Sequence, residues 1–246
     1  MQRRPGTFVL FTDFSTFGPY VGQMKAVLVA GADWPVVDLM HDAPAFDPRS
    51  SAYLLRAFSA GLPEGSVILG VIDPGVGSER RAVAVRADGW WLVGPDNGLL
   101  ALLARQAEHF EVYHLPVPDD ADATFHGRDV FAPAAVRIAR GEPPGEPIAG
   151  DAGLIGLDWP DDESRAIYVD HYGNVMTGLR GSRVPQQAVL CANGHRIARG
   201  RTFSDVPTGH AFWYINSSGL VEVAVNQGSA AERVGLAPGM PVALEV

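Results

Sequence analysis

Short apolar runs that alternate with helical patterns constrain this chain more than any other feature. TFVLFTDF, VVDLMHD, SVILGVID and HFEVYHLP read as heavily apolar strands, and PYVGQMKAVLVAGA, DPRSSAYLLRAFSAGL and NGLLALLARQA between them read as helices. Strand and helix in turn imply an α/β domain with a largely parallel sheet. One insertion departs from the alternation: AVAVRADGWWLVGPD reads as a hairpin with Asp88 and Gly89 at its turn. After the helical segment GRDVFAPAAVRIARG the composition shifts to EPPGEPIAGDAG, rich in Pro and Gly, which marks a boundary. Beyond it AIYVD, QQAVLCANGHRIA, HAFWYIN, LVEVAVN and MPVALEV are strand-like, with Asn193 and Gly194 as a second tight turn. The expected organisation is an N-terminal α/β domain over residues 1–150, a linker over 151–163 and a smaller C-terminal all-β domain over 164–246.

Composition narrows the class. A chain of 246 residues with 47% hydrophobic content supplies a real core, and a formal net charge of −9 argues against gripping phosphate backbones. No run of basic residues interleaved with aromatics is present, so nucleic acid is not an expected partner. The single cysteine, Cys191, cannot close an internal disulfide, and the N-terminus lacks the long apolar stretch of a secretory signal. No segment approaches the roughly 18 apolar residues of a membrane span. These features predict a soluble, cytoplasmic protein with no membrane association.

Ligands of open α/β sheets collect beyond the carboxyl ends of strands, and those ends carry acids here: Asp13 after VLFT, Asp42 after VVDLMH and Asp73 after VILGVI. An aspartate at a strand end commonly caps a helix or holds a turn, the role expected of Asp42 and Asp47, and Asp96 and Asn97 are expected to cap the helix that follows them. Asp73 differs. It opens DPGVGSERR, a loop whose glycines let backbone approach a small ligand and whose Arg80 lies near enough to fold back over it. The loop fits neither GxxxxGK[ST] nor GxGxxG, and an aspartate at its mouth would repel a pyrophosphate. In TFHGRDVFAP, His126 precedes a glycine and a predicted helix, which displays its ring from a loop. None of the 7 histidines falls in HExxH or another metal spacing, so no essential metal is expected. GxSxG is absent as well. An acid, an arginine and a histidine with no covalent nucleophile suit the activation of a water.

Six stretches in order, TDFSTFGPYVGQMK, DPGVGSERR, GPDNGLL, TFHGRDVFAP, YVDHYGNVMTG and NSSGLVEVAVNQGSAA, closely resemble the S-adenosyl-L-methionine (SAM) hydroxide adenosyltransferase family, the adenosine-forming SAM hydrolases. The fluorinase and the chlorinase belong to the same superfamily. The resemblance implies a barrel-like C-terminal domain and a homotrimer in which neighbouring subunits share each active site. It implies that Asp73, Arg80 and His126 activate water for attack on the ribose C5′ of SAM, with SAM as substrate and no cofactor. It also implies that Asp13 holds the ribose hydroxyls, Asp170 the methionine ammonium and Asn174 the adenine, with Tyr172 and Phe203 as aromatic walls and Ser217 near the methionine carboxylate. Ser218 stands where the fluorinase has an arginine, Ser15 where glycine is usual and Gly178 where asparagine is common. The alternatives are a SAM-dependent 5′-halogenase, against which retention of Asp73 and His126 argues, and a SAM or adenosine sensor without catalysis.

Overall fold

A computed structural model of the chain describes residues 6–148 and 153–245. It resolves into two compact units whose boundary in the chain falls between Trp159 and Pro160. Of the predicted linker, residues 151 and 152 lie outside the described residues.

The first unit is built on a seven-stranded sheet. Strands β1 (Phe8–Thr12), β2 (Val36–Met40), β3 (Val67–Val71) and β5 (Trp90–Pro95) run parallel, while β4 (Ala82–Ala87), β6 (Phe110–His114) and β7 (Glu146–Pro147) extend the sheet through antiparallel pairs, in the order β2-β1-β3-β5-β4-β6-β7. Every residue of β1 and β3 is buried, the pattern of strands covered on both faces. Helices α1 (Tyr20–Gly31) and α4 (Ala132–Ala139) enclose a core with Phe8, Leu10, Met24, Leu28, Leu69 and Phe131. Helix α2 (Pro48–Phe58) starts as its sequence dictates, with the Asp47 carboxylate accepting the Ser50 N–H at 2.9 Å and Pro48 at the first position. The β4–β5 hairpin closes at Ala87 and Trp90, with Asp88 in the left-handed region at φ 47°.

Two helical expectations need correction. The pattern over NGLLALLARQA yields only a single turn, α3 (Ala101–Ala104), and neither Asp96 nor Asn97 caps it. Gly98 takes φ 97°, and the Asp96 carboxylate is committed elsewhere, to Arg81 and to the Ile155 N–H at 2.9 Å. Asn97 instead donates to the Ile72 carbonyl at 2.9 Å and accepts the Leu99 N–H. The segment GRDVFAPAAVRIARG opens as a π-helical turn over Gly127–Phe131 before α4 begins. Pro133 has no N–H to return to the carbonyl four residues back, and the turn before it widens so that the Ala132 N–H reaches the Gly127 carbonyl.

The second unit contains two antiparallel sheets. One orders β12 (Ala211–Ile215), β13 (Leu220–Val225), β9 (Val175–Arg180) and β8 (Glu163–Val169); the other orders β11 (His195–Ile197), β10 (Val189–Ala192) and β14 (Val242–Glu245). Isolated bridges join their edges, Arg165 to Pro241 beside β8 and β14, and Arg199 to Trp213 beside β11 and β12. The strands therefore follow one another around a nearly closed circuit, which leaves few unpaired edges and gives the unit a barrel-like course. Its interior holds Trp213, Val175, Leu190, Val221 and Val223. Strand β9 and the short helix α5 (Ala230–Val234) were not anticipated from the apolar pattern. Gly178 in β9 is forced by space: a Cβ there would lie 2.4 Å from the Glu163 Cβ.

Candidate functional site

The loop after β3 brings Asp73 and Arg80 into contact across seven residues of sequence. Arg80 Nε donates to Asp73 Oδ1 at 3.0 Å and Oδ2 at 3.1 Å, and Nη2 donates to Oδ2. The turn that allows this needs Gly77, which sits at φ 77° with the Ala123 carbonyl oxygen 2.7 Å from where a Cβ would be. His126, at the start of the π-helical turn, places Nδ1 2.8 Å from Arg80 Nη2. Arg80 and Asp73 side chains are 9% and 5% exposed, and the guanidinium lies over the Phe131 ring at 5.3 Å.

This contact assigns the histidine's proton. A guanidinium only donates, so His126 Nδ1 must accept, and a neutral ring then carries its hydrogen on Nε2. Burial and then the Arg80 charge hold the His126 pKa below its ordinary value, with Asp73 opposing them. Arg80 Nη1 is buried without a hydrogen-bond partner among the described residues, a donor left over in a site where every other guanidinium nitrogen is engaged.

Asp13, at the end of β1, lies on the same rim. Its Oδ2 accepts the Phe46 N–H at 3.1 Å. Burial raises its pKa, the backbone N–H groups of Phe46 and of Asp13 itself draw it back, and the Asp73 charge adds to the rise. Ser15 takes φ 59°, the left-handed conformation that glycine adopts most readily.

The second unit carries a cavity of about 750 Å³ on its larger sheet, a size suited to a small organic ligand. Asp170, Tyr172, Asn174, Phe203 and Ser217 all line it. The Asp170 carboxylate accepts the N–H groups of Tyr172 (2.9 Å) and Asn174 (2.8 Å) and the Asn174 side-chain amide (2.9 Å). Phe203 packs edge-on against Phe212 and Tyr214, while Tyr172 is 77% exposed. Sequence reasoning missed Tyr214, Asn216 and Glu222, which line the same cavity. The signal was present in LVEVAVN: Val221, Val223 and Val225 alternate into the core, so the acid between them faces the other way. No lysine, arginine or histidine is among the described lining residues.

Among the described residues no group of His, Cys, Asp and Glu could hold a metal ion. No helix among them is long and apolar enough to cross a membrane.

A charged cluster at the carboxyl rim of a parallel sheet, with an acidic cavity on a β unit, has the chemistry of an enzyme for a small cationic substrate. The N-terminal domain of the SAM hydroxide adenosyltransferase family matches residues 8–147 and its C-terminal domain matches residues 164–243. The chain belongs to the SAM hydroxide adenosyltransferase family. It is 43% identical to an (R)-S-adenosyl-L-methionine hydrolase of Thermus thermophilus, over 98% of this chain and 99% of that protein. A second (R)-S-adenosyl-L-methionine hydrolase, from Salinispora arenicola, is 36% identical over 93% of each chain. Among solved structures, a conserved hypothetical protein from Thermus thermophilus superimposes with a TM-score of 0.81 at 41% identity, covering 98% of this chain and 100% of that one.

Proposed function

We propose that this chain hydrolyses SAM to adenosine and L-methionine. The observation that carries the reading is the buried Asp73–Arg80–His126 cluster, formed by two segments that both fall within the family match at residues 8–147. A water-derived oxygen attacks the ribose C5′ carbon, the C5′–S bond breaks, and both its electrons stay on sulfur, which leaves as the neutral thioether of methionine. The water loses one proton in the process. Bulk water has a pKa near 15.7, so the developing hydroxide needs stabilisation. The fixed charge of Arg80, with Nη1 uncommitted, supplies it. His126 orients the water by donating from Nε2, since Nδ1 is engaged by Arg80. Asp73 is then the proton acceptor: its Oδ1 receives one N–H from Arg80 and keeps a lone pair.

Asp13 holds the ribose hydroxyls, Asp170 the methionine ammonium, Asn174 the adenine, Tyr172 and Phe203 the aromatic walls, and Ser217 the region of the methionine carboxylate. The α/β domain of residues 1–150 carries the water-activating set and the β domain of residues 164–246 the adenine and methionine contacts. The working form is a metal-independent, cytoplasmic homotrimer without a cofactor. The halogenase alternative is disfavoured because the chain retains both Asp73 and His126.

The test is product identification from SAM in oxygen-labelled water, with and without chloride. Adenosine labelled at its 5′ oxygen, alongside methionine, is the expected result. A main product of 5′-chloro-5′-deoxyadenosine would make the protein a halogenase, and bound SAM with no nucleoside formed would make it a sensor.

A further inference from the structure

Glu222 sits at the centre of β13 and is 2% exposed, yet it lines the cavity of the second unit rather than the core. Its two neighbours across the sheet are Tyr214 on β12 and Met176 on β9, both also on the cavity wall. Each carboxylate oxygen has one partner. Tyr214 donates its hydroxyl to Oε1 at 2.5 Å, and Asn216 donates its side-chain amide to Oε2 at 2.7 Å.

Asn216 extends this chain of bonds into the turn between β12 and β13. Its Oδ1 accepts the N–H groups of Ser218 and Leu220, each at 3.0 Å, and its own carbonyl accepts the Gly219 N–H at 3.0 Å. The amide of Asn216 therefore cannot flip without losing two backbone bonds, so its NH₂ always faces Glu222. The turn it holds carries Ser217 and Ser218, which form one edge of the cavity.

We infer that Glu222 is a positioning residue for SAM binding: through Asn216 it fixes the Ser217–Ser218 turn, and through its other oxygen it fixes the Tyr214 ring. It acts by shape and hydrogen bonding rather than by its charge. This inference rests on the reading of the chain as a SAM hydrolase. A carboxamide satisfies the same geometry, because its oxygen can accept from Asn216 while its NH₂ donates to the tyrosine oxygen, which accepts as readily as it donates. An alanine satisfies neither bond. Burial pushes the Glu222 carboxyl above the usual carboxylate range, Tyr214 and Asn216 draw it back, and the Asp170 charge adds to the rise.

Steady-state kinetics on Glu222→Ala, Glu222→Gln, Asn216→Ala and the double alanine variant test this. Loss of a charged hydrogen bond predicts that Glu222→Ala raises KM for SAM about tenfold or more, with kcat changed less than about threefold. Glu222→Gln should recover most of that loss. Asn216→Ala should raise KM comparably, and the double variant should be little worse than the poorer single one, since both act on one turn. Thermal melts check folding. If Glu222→Ala does not fold, Asn216→Ala and Glu222→Gln still carry the comparison. A Glu222→Gln variant with KM raised about as far as expected for alanine overturns the inference in favour of a charge role, and fully additive losses overturn the route through Asn216. Adenosine production by the unsubstituted protein with unchanged KM in every variant sinks this inference and leaves the hydrolase reading intact. If the unsubstituted protein turns over no SAM, the hydrolase reading fails, and calorimetric Kd values for SAM across the same proteins decide the positioning role.

Discussion

The charged cluster of the first unit and the cavity of the second handle ionisable groups in opposite ways. Asp73 and Arg80 neutralise each other at contact distance, and His126 is held neutral by accepting from the same guanidinium. In the cavity, Asp170 and Glu222 have no basic partner among the described lining residues, and their oxygens are met by amides and a hydroxyl. A guanidinium held in place by a bidentate carboxylate can present a preorganised field to a reacting oxygen. Asp170, an acid with no basic partner in that wall, gains most when a cation arrives to compensate it, whereas Glu222 acts through its hydrogen bonds to Tyr214 and Asn216. The two designs fit the two ends of the proposed chemistry, water at one and a positively charged substrate at the other.

The largest effect should come from breaking the pairing. Arg80→Ala leaves the Asp73 carboxylate without its ion-pair partner, and Asp73→Asn and His126→Ala remove the proposed proton acceptor and the proposed orienting donor. Each should lower kcat by about two to four orders of magnitude, the scale of lost electrostatic or acid–base catalysis, while KM for SAM changes much less. A His126→Ala variant with near-normal turnover would show that Asp73 and Arg80 suffice, and the comparison would shrink to a single ion pair against the cavity.

A smaller effect, and on the other kinetic constant, belongs to Asp170. Asp170→Ala removes an acid from the cavity wall and frees three donors. KM should rise about ten- to hundredfold, the cost of a lost charge-assisted bond, with kcat largely retained. A fall in kcat with KM unchanged would mean that the cavity takes part in the chemical step, and the contrast between the units would fail.

The smallest effect concerns stability. The folded-state pKa of Glu222 is raised, so its contribution is fully present below the ordinary glutamate pKa and is lost as pH rises through the folded value. Glu222→Gln removes that dependence. Its melting temperature relative to the unsubstituted protein should therefore climb by a few degrees between pH 5 and pH 8, on the order of 4 °C per kcal/mol or less for a chain of this size. A gap that stays flat or narrows over this range would mean that the cavity acid is not strained by burial. Scanning calorimetry at several pH values reads this directly.

The sequence alone determined the features in which each residue answers to its neighbours. Apolar runs named β1 and β3, Asp47 before Pro48 named the start of α2, and Asp88-Gly89 and Asn193-Gly194 named two turns, because strand burial, capping and left-handed φ are local demands. Its resemblance to a known family also singled out residues that line the second unit's cavity, and it brought Asp73 and Arg80 to notice as neighbours in one loop. The tertiary structure decided whatever depended on distant groups. NGLLALLARQA has helical periodicity, yet Gly98 and the competing bonds of Asp96 reduce it to one turn. Strand β9 has little apolar pattern of its own and exists through its antiparallel ladders with β8 and β13. Which nitrogen of His126 carries the proton follows from an arginine 46 residues away. The same holds for Glu222, whose role emerges only when β12 is laid beside β13: hydrogen bonds join groups that meet in space, and a one-dimensional pattern of polarity records that a residue is polar without recording what it will face.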